Sequence, residues 1–220
     1  MIKKLEEGEI DFKNICFSDE AHFHLEGYVN RQNYRFWGSQ KPEFVVAMPL
    51  FPKRLTVWAA LWKDFVVDPC FIHSTVNSEV YQGILNKHFL PRAYNEQSVA
   101  DMWFMQDGAP PHRTSDVFDI LQSHVDSRVI AKGFLEQNRG GITWPPYSPD
   151  LNQMDFFLLG YLKDKIYRTS IETLENLQRV ISDEMQAIPD ATLQNVVAGF
   201  EQRLRDCIAR ERGNFKNLIF

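Results

Sequence analysis

The chain has 220 residues, 44% of them hydrophobic and 13% aromatic, with 24% charged; that is bulk enough for one large core and excludes wholesale disorder. Its longest purely apolar run, Val57 to Trp62, falls far short of the ~18 residues of a membrane helix, and the charged opening MIKKLEEGEIDFKN has no signal-peptide stretch, so no membrane is expected. A formal net charge of −5 argues against a generic nucleic-acid coat protein, but not against an enzyme whose acids hold metal where it touches DNA.

Residues 1–14 are mostly polar and read as a residual linker, with a single domain over 15–220. Ile15 to Leu25 is rich in β-formers, and Phe17, Asp19, Ala21 and Phe23 share one parity, which predicts a strand with an acid on an apolar face. Residues 24–54 carry five Gly or Pro positions from Gly27 to Pro52 and an aromatic patch at Tyr34 to Trp37, and predict a hairpin and a long loop. Leu55 to Trp62 and Phe65 to Ile72 follow as strands joined by a tight turn at Lys63-Asp64. Asn77 or Ser78 caps a helix to about Phe89, where Pro91 stops it.

Val99 to Gln106 predicts a buried strand ending at Asp107, and Thr114 to His124 a helix. Asp126 to Ala131 predicts a short strand, and 133–150 an irregular Gly/Pro-rich connection. Asn152 opens a helix through Ile166. Ile171, Leu174, Leu177 and Ile181, then Leu193, Val197, Phe200, Leu204 and Ile208, have the spacing of two amphipathic C-terminal helices within 170–220. The order predicts an α/β fold, a mixed sheet covered by helices. Cys16, Cys70 and Cys207 are far apart, without a C-x-x-C pair, and predict buried thiols in a reducing compartment.

Three acids stand where carboxylates are expensive: Asp19 inside an apolar-faced strand, Asp107 at the end of another, and Asp155 before Phe156-Phe157-Leu158-Leu159. If the two strands are neighbours, the three side chains point into one pocket, and Mg²⁺ is the natural counter-charge. Each also has a plain structural use. Asp19 fits a strand edge beside a cation, Asp107-Gly108 a turn, and Asp155 a capping-box arrangement with Asn152.

The words around these acids carry more. FSDEAHFHLEGYVNRQNYRFW (17–37), WFMQDGAPPH (103–112) and WPPYSPDLNQMDFFLLGYLKDKIY (144–167) resemble, in order, the Tc1/mariner superfamily of transposases. The resemblance implies a ribonuclease-H-like catalytic domain in which Asp19, Asp107 and Asp155 form the acidic triad and bind two Mg²⁺ or Mn²⁺ ions. It implies hydrolysis of a phosphodiester at the transposon ends, then attack of the freed 3′-hydroxyl on target DNA. Double-stranded DNA as partner, a homodimer on that DNA, and work in the nucleus are implied with it.

The chain departs from the family in places. Gln153 stands where a proline is common. The stretch from Asp107 to Asp155 is longer than usual, with the surplus near GFLEQNRGG, a loop insertion that closure entropy tolerates or the mark of a repurposed copy. The family's paired helix-turn-helix domains have no counterpart before Asp19, so weak and unselective binding of transposon ends is expected of this chain alone.

Secondary roles remain open between function and structure. His112 orients a DNA phosphate or the attacking water, or makes one structural hydrogen bond; Asp150 braces the approach to Asp155. Lys163, Lys165 and Arg168, and the group Arg203, Arg205, Arg210, Arg212 and Lys216, track a DNA backbone or lie on solvated, salt-bridged helix faces. His22 and His24 share a strand face but lack further zinc ligands nearby. Residues 38–54 clasp a second subunit or pack on their own domain. The rivals to a transposase are a domesticated or inactive DNA- or protein-binding derivative and a hydrolase of RNA–DNA hybrids.

Overall fold

The structure is a computed structural model that describes residues 2–25, 53–96, 99–137, 139–144, 151–168 and 171–209. Of the hairpin and loop expected over 24–54, His24 and Arg54 belong to strands and residues 26–52, with most of the clasp stretch, lie outside the described residues, as do Asp150, Arg210, Arg212 and Lys216.

Strand β1 (Ile15–His24) alternates as the sequence predicts. Phe17, Ala21 and Phe23 enter one core and Cys16 the opposite one. β2 (Arg54–Trp62) and β3 (Phe65–Ile72) form the expected hairpin, with Lys63 in the turn at φ 56°. Pro69 is tolerated because β3 is an edge strand, where a missing N–H interrupts no second ladder.

The predicted strand over Val99–Gln106 is shorter than expected. Val99–Asp101 forms a 3-10 turn, and only Trp103–Met105 (β4) pairs, parallel to β1. Likewise only Val129–Ile130 (β5) of the 126–131 stretch is strand. The sheet order is β3-β2-β1-β4-β5, antiparallel on the β2 side of β1 and parallel on the β4 side. Short parallel strands need fewer residues because helices cover both faces and take up the remaining burial.

Residues 2–14 are more than a connecting tail: Ile2–Glu6 is a helix (α1), Phe12–Asn14 a 3-10 turn, and Ile10 is buried in the core. Asn77 caps α2 (Ser78–Ile84), its Oδ1 accepting from Val80 N at 2.8 Å. Pro91 does not end this helix, which passes through a π-helical turn (Leu85–Phe89) into α3 (Leu90–Glu96). Leu90 N–H reaches back five residues to Leu85 O, and the widened turn makes room for the proline ring. α4 (Ser115–Val125) covers the same face as α2 and α3.

The opposite face is covered by α5 (Leu159–Ile166), α6 (Leu174–Gln186) and α7 (Asp190–Ala209). Leu177 and Ile181 of α6, and Leu193, Val197, Phe200 and Leu204 of α7, are buried as their spacing predicts, while the side chain of Ile208 lies outside the described residues. Two apolar clusters, one per sheet face, thus make a helix–sheet–helix sandwich. Cys16 is buried, but Cys70 and Cys207 are only partly so, because one lies on the edge strand and the other near the end of α7. Among the described residues, no helix is long and apolar enough to cross a membrane.

The surplus near GFLEQNRGG is docked on the sheet. Ile142 N donates to Val129 O at 2.9 Å and Ala131 N to Ile142 O at 3.0 Å, adding a parallel bridge beside β5. Arg139 donates to Asp119 and, at 2.8 Å, to Gln122 on α4.

Candidate active site

The site is set by the register of two parallel strands. Phe17 on β1 stands opposite Met105 on β4; Asp19 lies two residues further along β1 and Asp107 two residues beyond the end of β4, near enough for its charge to act on Asp19. Ser18 Oγ donates to Met105 O at 2.9 Å and holds the strands together where β4 ends. Asp19 is on the central strand, so the edge-strand reading of this acid does not apply.

The third acid arrives through Asn152. Its Nδ2 donates to Asp19 Oδ2 at 3.0 Å, and its Oδ1 accepts from Met154 N at 3.1 Å. This buried amide anchors a π-helical turn, Met154–Leu158, which opens the segment expected to begin as α-helix and which carries Asp155. Asp155 itself is exposed, and its side chain hydrogen-bonds to that of Asp19.

Burial pushes the Asp19 carboxyl well above the usual carboxylate range, and the charges of Asp155, Glu20 and Asp107 push the same way. Asp107 moves in the opposite direction. Burial raises it, but the hydrogen bond and charge of His112, the Ala109 N–H at 3.0 Å and the charge of Arg113 together hold it below the usual range. Asp19 on β1 and Asp107 just beyond β4 are thus shifted in opposite directions.

His112 is the reason. Its Nδ1 lies 2.6 Å from Asp107 Oδ1, and its Nε2 lies 3.3 Å from Glu20 Oε1, an ion pair without the alignment of a good hydrogen bond. Burial lowers the affinity of the ring for a proton, yet Asp107 and Glu20 outweigh it and raise its pKa to about 9. Tyr81 stacks on the ring at 4.0 Å between centroids and donates to Gln106 Oε1 at 2.9 Å, while Gln106 Nε2 donates to the His112 carbonyl at 2.8 Å. The structure therefore favours a structural hold on Asp107 among the roles expected of His112.

Glu20, Tyr81, Gln106 and Asn152 also belong to the site; the sequence points to none of the first three, and to Asn152 only as a helix cap. Glu20 and Gln106 are direct neighbours of the acids, and that adjacency was the available signal. Tyr81 comes from α2, which only the fold brings near.

The remaining candidates are dispersed. Lys163 is exposed with its amine 5.8 Å from the Phe23 ring centre, and Lys165 lies 5.5 Å from that of Tyr161. Arg168 pairs with Asp164 at 2.6 Å, and Arg205 with Glu201 and Glu6, as solvated salt-bridged faces. His22 bonds Thr56 Oγ1 through Nδ1 at 2.9 Å, and the His24 N–H donates to the Tyr167 hydroxyl oxygen at 3.0 Å. Burial, then Arg54, lowers the proton affinity of both rings.

Among the described residues, no three His, Cys, Asp or Glu side chains are already closed around a point as ligands to one ion. The donor chemistry fits a hard divalent cation nonetheless: Asp19, Asp107 and Asp155 offer carboxylate oxygens alone, and the mutual repulsion felt at Asp19 is what such a cation offsets.

No family model matches the chain. It is 28% identical over 215 residues to the transposable element Tc3 transposase of Caenorhabditis elegans, an alignment covering 93% of this chain and 58% of that protein. The chain therefore spans little more than half the length of this curated relative. In fold it is similar to the Mos1 mariner paired end complex with Mn (TM-score 0.74, 19% identity, 97% of this chain and 60% of that one). It is likewise similar to the catalytic domain of Mos1 mariner transposase (TM-score 0.69, 18% identity, 97% and 89%). The mixed five-stranded sheet flanked by helices is the ribonuclease-H-like fold of that domain. Sequence and fold point the same way: the chain is similar to the Tc3 transposase over 93% of its length, and its fold is that of the Mos1 mariner transposase catalytic domain.

Proposed function

We propose that the chain cuts DNA at transposon ends and joins the freed 3′ end to target DNA, with Asp19, Asp107 and Asp155 as its catalytic carboxylates. The observation that carries this is the convergence of the three acids: Asp155 hydrogen-bonds to Asp19, and the charges of both Asp155 and Asp107 act on the Asp19 carboxyl. Retention of all three acids speaks for a cutting enzyme over a non-cutting derivative. The related Mos1 structures with Mn and with Mg support divalent metal as the cofactor.

The three acids would hold Mg²⁺ or Mn²⁺, two ions per site, which supply charge neutralisation at the phosphate and acidify the attacking hydroxyl. The chain's own residues do the rest. Asp19 sits on the central strand, paired on both sides, and sets the site's origin. His112 and the Ala109 N–H both engage Oδ1 of Asp107, which would leave Oδ2 to meet a cation. Asp155, exposed on a π-turn, is the acid able to adjust as substrate enters. In this reading Lys163 and Lys165 would meet the DNA backbone, Asp150 would brace the approach to Asp155, and the working state would be a homodimer in the nucleus.

The test is nicking of supercoiled plasmid in Mn²⁺. Wild-type chain should nick, and Asp107→Asn should lose about a thousandfold or more in rate. Nicking that persists undiminished in Asp107→Asn, or cleavage confined to RNA–DNA hybrids, would overturn the reading.

A further inference from the structure

The π-turn that carries Asp155 is braced from α7. Gln153, immediately before the turn, is 0% exposed, and its Oε1 accepts from Arg203 Nη2 at 2.5 Å. The same guanidinium lies 3.8 Å from the ring centre of Phe156, a residue 52% exposed. One side chain from α7 thus holds the residues on both sides of Asp155. Room for it is made one turn earlier, since a Cβ at Gly199 would stand only 3.1 Å from Arg203 Nη1.

A brace is needed here for a physical reason. In the turn, Leu159 N–H reaches back five residues to Met154 O, so the segment between lacks the tight ladder of an α-helix and is less stiff. Asn152 fixes the entry of the turn to Asp19, but nothing in that contact fixes the direction in which Asp155 leaves it. A buried Gln also needs a strong partner, and a charged donor supplies one. Arg205, two residues further along α7, makes no comparable contact, pairing instead with Glu6 and Glu201 on the exposed face.

We infer that Arg203 is a positioning residue for Asp155: by holding Gln153 and Phe156 it sets the aim of the third carboxylate, and it makes that aim depend on the seating of α7. The inference rests on the reading of Asp155 as a metal-holding acid.

The experiment measures Mn²⁺ affinity of the full chain by electron paramagnetic resonance of free Mn²⁺, beside urea denaturation, for wild type, Asp155→Asn, Arg203→Met, Arg205→Met and the double variant Arg203→Met/Gln153→Pro. Gln153 has φ −63°, the value a proline ring imposes, so proline there removes the buried amide and stiffens the backbone by itself. Expected is a loss of about tenfold in affinity for Arg203→Met, the usual scale for a lost outer partner. Arg205→Met should match wild type, and the double variant should recover most of the loss.

Equal losses in Arg203→Met and Arg205→Met would mean general loosening of α7 and would overturn the inference. So would unchanged affinity in Arg203→Met while Asp155→Asn binds weakly. If Asp155→Asn binds as wild type does, the metal-holding reading of Asp155 falls, and the inference with it.

Discussion

His112 Nδ1 lies 2.6 Å from Asp107 Oδ1, so the acid that follows β4 is tied to a ring whose far side meets Glu20 on β1. The histidine is a rivet between β1 and the turn after β4, set between the carboxylates of Glu20 and Asp107. Its raised proton affinity, about 9 against an ordinary 6.5, is a statement about stability as well as chemistry.

Because the folded-state value is raised, the stabilisation is complete below about pH 6.5 and lost as pH climbs through about 9. In chelator, wild-type chain should lose on the order of 3 kcal/mol more between pH 6 and pH 10 than His112→Gln does. Urea denaturation at both pH values reads the difference, and parallel pH profiles for the two chains would refute it.

Removing the third acid should help the empty fold and harm the site. Asp155 pushes the Asp19 carboxyl up by its charge, so Asp155→Asn relieves repulsion at an exposed position. The metal-free variant should be more stable by on the order of 1 kcal/mol. Thermal melts in chelator and in Mn²⁺ check this: the variant should start higher and gain less from the cation than wild type.

Two glycines should respond with opposite sign. Gly83, in α2, faces open space, and Gly83→Ala should stabilise by up to about 1 kcal/mol through helix propensity. Gly141 has φ +81°, and a Cβ there would lie 2.5 Å from Val129 O. Gly141→Ala should cost about 2–4 kcal/mol and undock the bridge beside β5. Urea midpoints for the two variants test the pair, and a neutral Gly141→Ala would mean the docked strand contributes nothing.

Opening the ring of contacts around His112 should weaken the fold without unpairing charges. Tyr81→Phe keeps the stacked ring but leaves Gln106 Oε1 without its donor in a buried place. A loss of about 1–2 kcal/mol is expected in urea denaturation. Phosphodiester cleavage should fall far less than in Asp107→Asn, because the Asp107–His112 contact remains.

Much of this protein was determined by local pattern. The two-residue alternation of Phe17, Asp19, Ala21 and Phe23 is inherent in a strand with one apolar face, so both the strand and the acid on its core face were legible. The same holds for the helical stripes of α6 and α7, and for the three acids within motifs that resemble a transposase. Where α2 and α3 join, the rule that proline ends a helix failed, because the preceding turn widened to take the ring. Tertiary structure alone decided what surrounds the acids. Tyr81 stacks on His112 from another layer, Asn152 links Asp19 to the turn of Asp155, and Arg203 reaches Gln153 from α7. Those contacts join residues dozens to more than a hundred positions apart, and their geometry follows from how sheet and helices pack. Sequence periodicity reports which face a residue occupies; it carries no information on which distant side chain meets it there.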